Sequence, residues 1–144
     1  MKAYLLALGL FGCASSLPGK LALVGSSAQL QDGVVVNLED AVLRAHEVKV
    51  KVWVQNLSRD FLVLDQRGLQ LKLSDGRVLT PVGELQIYTV PTGGGHEVLA
   101  IFRDHAELRH EAQVTLVFGG VSFAADGRAR VVGELVLRAD GEKL

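Results

Sequence analysis

The sequence predicts an all-β protein, with a single β-sandwich of about seven to nine antiparallel strands that follows an N-terminal signal segment. Three observations support this. Apolar and polar residues alternate with period two, turn residues separate the apolar runs, and helical periodicity is scarce. The chain has 144 residues, of which 49% are hydrophobic and 22% charged, an ordinary balance for one globular domain.

The first residues have the order of an export signal. Lys2 provides a positive charge, residues 3–12 (AYLLALGLFG) are apolar or small, and small residues follow Cys13. The apolar run is shorter than the roughly 20 residues that a membrane-spanning helix needs. Cys13 is the single cysteine of the sequence, so it cannot form a disulfide within the chain.

The segment Leu10-Phe11-Gly12-Cys13 resembles the lipobox of bacterial lipoproteins, in which a peptidase cuts just before the cysteine. The resemblance implies that residues 1–12 are a signal peptide, that Cys13 is lipidated, and that residues 13–19 tether a domain of residues 20–144. Each buried methylene of an acyl chain contributes ~0.8 kcal/mol, and two or more chains give stable anchoring. The family usually has a small residue where Phe11 stands.

The same resemblance implies a location in the cell envelope. A residue other than Asp after the cysteine, here Ala14, implies passage to the outer membrane if the host is Gram-negative. Two alternatives stay open: an ordinary signal peptide in which Cys13 occurs by chance, or an N-terminal strand of the core.

The clearest strand covers residues 47–55, where valines at every second position alternate with Lys49, Lys51, Trp53 and Gln55. This pattern predicts a half-buried strand with the valines inward. Leucines alternate in the same way over residues 69–73. Further strands are predicted at residues 34–43, 61–64, 77–79, 85–90, 97–102, 112–118 and 131–137.

Turn residues delimit these strands. Asp75-Gly76 between two apolar runs predicts a hairpin whose two central residues both have positive φ. The window 102–112 is the one segment that could hold a helix of two turns. Glu39-Asp40 is expected to place its carboxylates on opposite strand faces, which disfavours a glycosidase pair. Gly93–Gly95 is not followed by the residues of a phosphate-binding loop.

A second resemblance rests on residues 48–77 (VKVKVWVQNLSRDFLVLDQRGLQLKLSDGR) and 90–102 (VPTGGGHEVLAIF). They resemble immunoglobulin-like domains of bacterial lipoproteins and the β-sandwich of the water-stress and late-embryogenesis-abundant family. The similarity covers residues 34–137 and implies a single immunoglobulin-like β-sandwich without catalytic residues. Leu57 departs from the proline that usually follows the asparagine in the plant-type family.

The candidate partner-binding residues are Trp53, Lys49 and Lys51, because a tryptophan on the polar face of a strand is a frequent interface anchor. The alternative is that a loop or the tether covers Trp53. His105 and His110 are weaker candidates for metal ligands, since their i, i+5 spacing would place them on different faces of a helix. The alternative there is a polar connection between two strands.

The charge balance excludes one class of partner. Fifteen Lys and Arg and sixteen Asp and Glu give a net charge of −1, which argues against nucleic acid. No cofactor motif and no G-x-S-x-G elbow occurs in the sequence. The sequence therefore predicts a non-enzymatic, membrane-anchored binding or envelope-assembly module with a protein partner. The alternative is a periplasmic protein that binds a metal or a small ligand through His105, His110 and neighbouring carboxylates.

Overall fold

The computed structural model describes residues 19–139 and confirms an all-β fold. Twelve strands and two single-turn 3₁₀ helices occur in this range, without an α-helix, and nine of the strands have four residues or more. The strands are β1 (Lys20–Val24), β2 (Ala28–Gln29), β3 (Val34–Arg44), β4 (Glu47–Asn56), β5 (Leu62–Asp65), β6 (Leu69–Leu73), β7 (Val78–Leu79), β8 (Ile87–Val90), β9 (Gly95–Arg103), β10 (Gln113–Phe118), β11 (Val121–Phe123) and β12 (Glu134–Ala139). The predicted signal peptide, Cys13 and residues 14–18 lie outside the described residues.

Nine strands form one antiparallel sheet in the order β7-β6-β10-β12-β1-β3-β4-β9, with β2 also paired to β3. β1 joins the two halves of this sheet, because its first residues pair with β3 and its last two with β12. The two edges of the sheet also meet, through the segment that follows β7: Pro81 forms an isolated bridge with Phe102 of β9, and the Val82 amide donates to the Ile101 carbonyl at 2.8 Å. The sheet therefore nearly closes around its core, and β11-β5-β8 form a second, three-stranded sheet.

The core confirms the predicted register of β4. Its four valines are at most 1% exposed, whereas Lys49, Lys51, Trp53 and Gln55 point to the other face. Phe102 and Phe118 are the largest fully buried side chains of the described residues. The core runs from Leu23 to Leu137, so the segment from residue 19 onward carries its own hydrophobic core.

The structure differs from the predicted turn at residues 75–76. Gly76 has a φ of +93°, but Asp75 does not have positive φ, so the expectation for both residues is wrong. The Gly76 amide donates to the Leu73 carbonyl at 3.0 Å, and the Leu73 amide donates to the Arg77 carbonyl at 2.8 Å. This is a three-residue turn, in which only the last residue takes the left-handed conformation.

Three short or peripheral strands, β1, β2 and β11, were not predicted. The window 102–112, which was long enough for a helix, contains turns instead. There Leu108 is fully buried, and its amide donates to the Ala45 carbonyl at 2.7 Å. Leu108 and backbone hydrogen bonds to the β3–β4 turn hold this connection in place without helical periodicity.

The domain has two distinct ends. At one end, Lys20 pairs with Arg44 next to the β3–β4 turn, near loop 104–112; we refer to this as the tether end. The opposite end, which we call the apex, contains loops 57–61, 91–94 and 124–130. The ten residues of β4 separate the two ends by roughly 30 Å.

Candidate functional site

The predicted partner-binding residues share one surface. Lys49, Lys51, Trp53 and Gln55 form the β4 outer face, which lies between β3 and β9. The register places Trp53 opposite Glu97, and Lys51 opposite Asp40 on one side and Leu99 on the other. Because β4 is a central strand, neighbours on both sides hold these side chains in place.

Trp53 is 39% exposed, and its own sheet covers part of it. A Cβ atom at Gly95 would lie 2.5 Å from Nε1 and Cε2 of the indole, so the ring occupies the space above this glycine. The glycine allows the ring to lie close to the sheet, while the remainder of the indole stays open. Within the described residues, Trp53 is therefore partly covered by the neighbouring strand β9, and not by a loop.

A β-bulge brings acidic side chains to the same surface. The register of β3 against β4 shifts between Leu38 and Asp40, so Glu39 is an extra residue. The Glu39 carboxyl group shares a side-chain hydrogen bond with Glu97, so it lies on the outer face. Desolvation raises the pKa of Glu39, and the hydrogen bond with Glu97 and the charge of Glu97 raise it further. The expectation that Glu39 and Asp40 lie on opposite faces is therefore wrong, because the bulge interrupts the alternation.

Beside the tryptophan lies a shallow depression with a volume of about 260 Å³. It is lined by Asp40, Lys49, Lys51, Glu97 and Leu99. The Lys51 Nζ atom lies 3.9 Å from a carboxylate oxygen of Glu97, and both side chains are about half exposed. The five lining residues supply amines, carboxylates and one apolar side chain, so the surface can contact a partner that carries charges of both signs.

The neighbouring residues Glu97 and Asp40 were not recognised from sequence as part of the site. The alternation in β9 places Glu97 and Leu99 on one face, and this signal was present in the sequence. Which strand lies beside β4 depends on the register between distant segments, which a single sequence does not contain.

The two candidate metal ligands lie at the tether end, where His105 and His110 are both exposed. The nearby carboxylates already have other partners. Asp104 pairs with Arg77, Glu107 with Arg109 and Glu111 with Ser74. Within residues 19–139, no three side chains of His, Cys, Asp or Glu are placed to hold a metal ion together.

The two other histidines have local contacts. The Nδ1 atom of His46 lies 3.1 Å from the Ala106 carbonyl oxygen, which joins the β3–β4 turn to the loop after β9. His96 packs against the ring of Tyr88, with 4.7 Å between the ring centroids. Both contacts tie adjacent segments of the fold together.

No protein-family model matches the chain, and no curated protein sequence matches it. Among solved structures, it is similar to the yjhA protein from Bacillus subtilis, with a TM-score of 0.57 and 12% identity over 76% of this chain and 96% of that one. It is also similar to ycdA from Bacillus subtilis subsp. subtilis str. 168, named a "putative lipoprotein", with a TM-score of 0.56 and 17% identity over 83% of this chain. This chain spans 39% of the length of ycdA.

At these identities the similarity extends to the fold alone. The comparisons support a β-rich fold that also occurs in a protein named as a lipoprotein, and no family model supports the immunoglobulin-like or late-embryogenesis-abundant resemblance. In residues 19–139, no helix combines the length and apolar character that crossing a bilayer requires.

Proposed function

We propose that this protein is a lipoprotein anchored in the cell envelope through Cys13, and that its β-sandwich is a non-enzymatic binding module. The partner, a protein of the envelope, contacts the β4 outer face. If the host is Gram-negative, Ala14 after the cysteine directs the protein to the outer membrane. The fold similarity to ycdA supports the anchored location.

The observation that carries the proposal is the geometry of Trp53. Its indole is fixed over Gly95 and still 39% exposed, beside the pair formed by Lys51 and Glu97. An aromatic side chain held in one orientation contributes a large contact area at low entropic cost when a partner covers it. The surrounding charges favour a specific orientation of the partner and contribute less to affinity.

Metabolic labelling tests the anchor. Cells that express the full chain are fed a labelled fatty acid, and the wild type is compared with Cys13→Ala. We expect label on the wild type alone, because Cys13 provides the thiol that carries the lipid. Equal label on both proteins contradicts the anchor.

Photo-crosslinking in intact cells tests the binding surface. A photoreactive amino acid replaces Gln55 on the β4 outer face or, as a matched control, Gln70 on the outward side of β6. We expect adducts of defined mass from position 55, and their loss when Trp53→Ala is added. The same adducts from position 70, or no adduct from position 55, contradict the assignment of this face.

A further inference from the structure

The charged residues of β3, β4 and β9, the three strands that form and flank the β4 outer face, divide between the two halves of that face. The half nearer the tether end, which we call the tether half, contains Arg44, Glu47, Lys49 and Arg103. The half nearer the apex, which we call the apex half, contains Glu39, Asp40, Lys51 and Glu97. Three positive charges and one negative charge give the tether half a net charge of +2, and the reverse balance gives the apex half −2.

Side-chain contacts agree with this division. Arg44 and Arg103 both pair with Glu47, at 3.7 and 3.1 Å, so two guanidinium groups share one carboxylate in the tether half. In the apex half, the Glu39 carboxyl group shares a side-chain hydrogen bond with Glu97, so two acidic groups lie side by side. The tether half therefore has an excess of cationic groups and the apex half an excess of carboxylates.

Apolar side chains lie among these charges. Trp53 and Leu99 are each 39% exposed, and Leu99 is directly opposite Lys51 in the middle of the face. The Lys51 Nζ atom lies 3.9 Å from a carboxylate oxygen of Glu97, and Lys51 is also opposite Asp40. Its charge is therefore balanced within its own chain, and the middle of the face can be covered without burying an uncompensated lysine.

We infer that the occupant of the β4 outer face is a second copy of this chain, related by a two-fold axis that lies between the two faces and crosses their strands. Such an axis reverses the strand direction, so the apex half of each copy meets the tether half of the other. The net charges of −2 and +2 are thereby placed opposite each other twice. A partner whose surface carries one sign of charge would be repelled by one half of the face. The inference rests on the proposed binding role of this face and names its partner.

The size of the face indicates a weak dimer. From Glu47 to Gln55 the face is about 27 Å long, and its three strands make it about 15 Å wide. Two uneven surfaces of this size bury roughly 1,000 Å² in total, at the low end of specific interfaces. We therefore expect a dissociation constant of about 10–100 μM for the domain in solution. Lipid anchors on both copies would raise their local concentration at the membrane and favour the dimer there.

Analytical ultracentrifugation of residues 19–144, the segment that carries its own core, tests the inference without any other protein. We expect a monomer–dimer equilibrium at concentrations up to about 500 μM, which added salt weakens. Lys49→Glu removes the net charge of the tether half and Glu97→Lys that of the apex half, so each should weaken the dimer about tenfold. In an equimolar mixture, the apex half of the first variant meets the tether half of the second with both charges intact. The heterodimer should therefore be about threefold tighter than either homodimer.

Lys72→Glu is the matched control, because Lys72 lies on the outward side of β6, outside this face, and its side chain is half exposed. Thermal melts verify that each variant is folded. The inference is overturned if the wild type stays monomeric at about 500 μM, or if the mixture is no tighter than the single variants. It is also overturned if Lys72→Glu weakens the dimer as much as Lys49→Glu does.

Photo-crosslinking from position 55 separates this inference from the proposed function. Adducts with twice the mass of the chain support a second copy. Adducts of another mass overturn the second copy but leave the β4 outer face as the binding surface of a different protein. No adduct from position 55 contradicts both proposals.

Discussion

The indole of Trp53 lies over the backbone of Gly95 on the neighbouring strand β9. In the β4–β9 ladder Glu97 is directly opposite Trp53, and Gly95 is diagonal to it. A glycine within a strand leaves its neighbours without a side chain to pack against, and an aromatic ring on the next strand can fill that space. The pair therefore stabilises the start of β9 and also fixes the orientation of the exposed tryptophan.

Gly95→Ala should displace the indole, because the new Cβ would lie 2.5 Å from the ring. We expect the free energy of unfolding to fall by about 1–3 kcal/mol, as for other overpacked sites. Emission should shift to longer wavelength, and acrylamide should quench it more strongly. Trp53 is the single tryptophan of the chain, so the signal reports on this ring alone.

Gly19→Ala is the control, since a Cβ there meets no atom within 4 Å. In a Trp53→Ala background, Gly95→Ala should no longer lower the free energy of unfolding, because the indole ring that the new Cβ would clash with is absent. If the substitution destabilises both backgrounds equally, the two residues are not coupled.

The alternation of β4 leads to a second prediction. Val50→Ala and Val52→Ala should each lower the free energy of unfolding by about 1–3 kcal/mol, because both side chains are only 1% exposed. Lys49→Ala and Lys51→Ala should change it by less than about 0.5 kcal/mol. Urea unfolding measures all four variants, and larger effects at the lysines would mean that the register is inverted.

The third prediction concerns the buried side chain of Asn56, which makes hydrogen bonds to three other residues. Asn56→Ala leaves backbone groups of Ser58, Asp60 and Val90 without these partners, and we expect a loss of about 2–3 kcal/mol in urea unfolding. Asn37→Ala on the outer side of β3 is the control and should stay within about 0.5 kcal/mol. Equal losses at the two asparagines would show that the network contributes nothing specific.

Features of the fold that depend on neighbouring residues in the sequence could be predicted, whereas features that depend on pairing between distant segments could not. The outward position of Trp53 follows from the period of a strand and was predicted correctly. The common face of Glu39 and Asp40 was not, because a bulge depends on how β3 aligns with β4. The strand β1 was also missed, because it is a strand through its pairing with β3 and β12, and its own sequence pattern does not predict one.

The glycines also divide into those explained by the local sequence and those explained by contacts with distant segments. Gly119 and Gly120 lie between β10 and β11, where two consecutive glycines are a local signal for the end of a strand. That Gly68 must also be small could not be predicted, because a Cβ there would collide with the backbone of Gly120, which is distant in the chain. Close backbone contacts of this kind become visible only when the two segments are seen together.

The last prediction concerns acid stability at the tether end, where Glu107 and Arg109 form an ion pair. The Arg109 guanidinium donates to the carboxylate at 2.7 Å, and the Arg109 amide donates to it at 2.7 Å as well. The side-chain hydrogen bonds are the larger cause and the amide the smaller, and together they lower the pKa of Glu107 from 4.5 to about 2. The folded state therefore favours the ionised carboxylate.

A lowered pKa means that the pair stabilises the fold fully above about pH 4.5, where the unfolded chain is also ionised. This contribution is lost as the pH falls from about 4.5 towards 2, because the unfolded state binds the proton first. Urea unfolding over this pH range should show a steeper decline for the wild type than for Glu107→Gln, which cannot titrate. Arg109→Gln should flatten the decline in the same way, and high salt should reduce the difference. If the wild type and Glu107→Gln decline in parallel between pH 4.5 and 2, the pair does not contribute to stability.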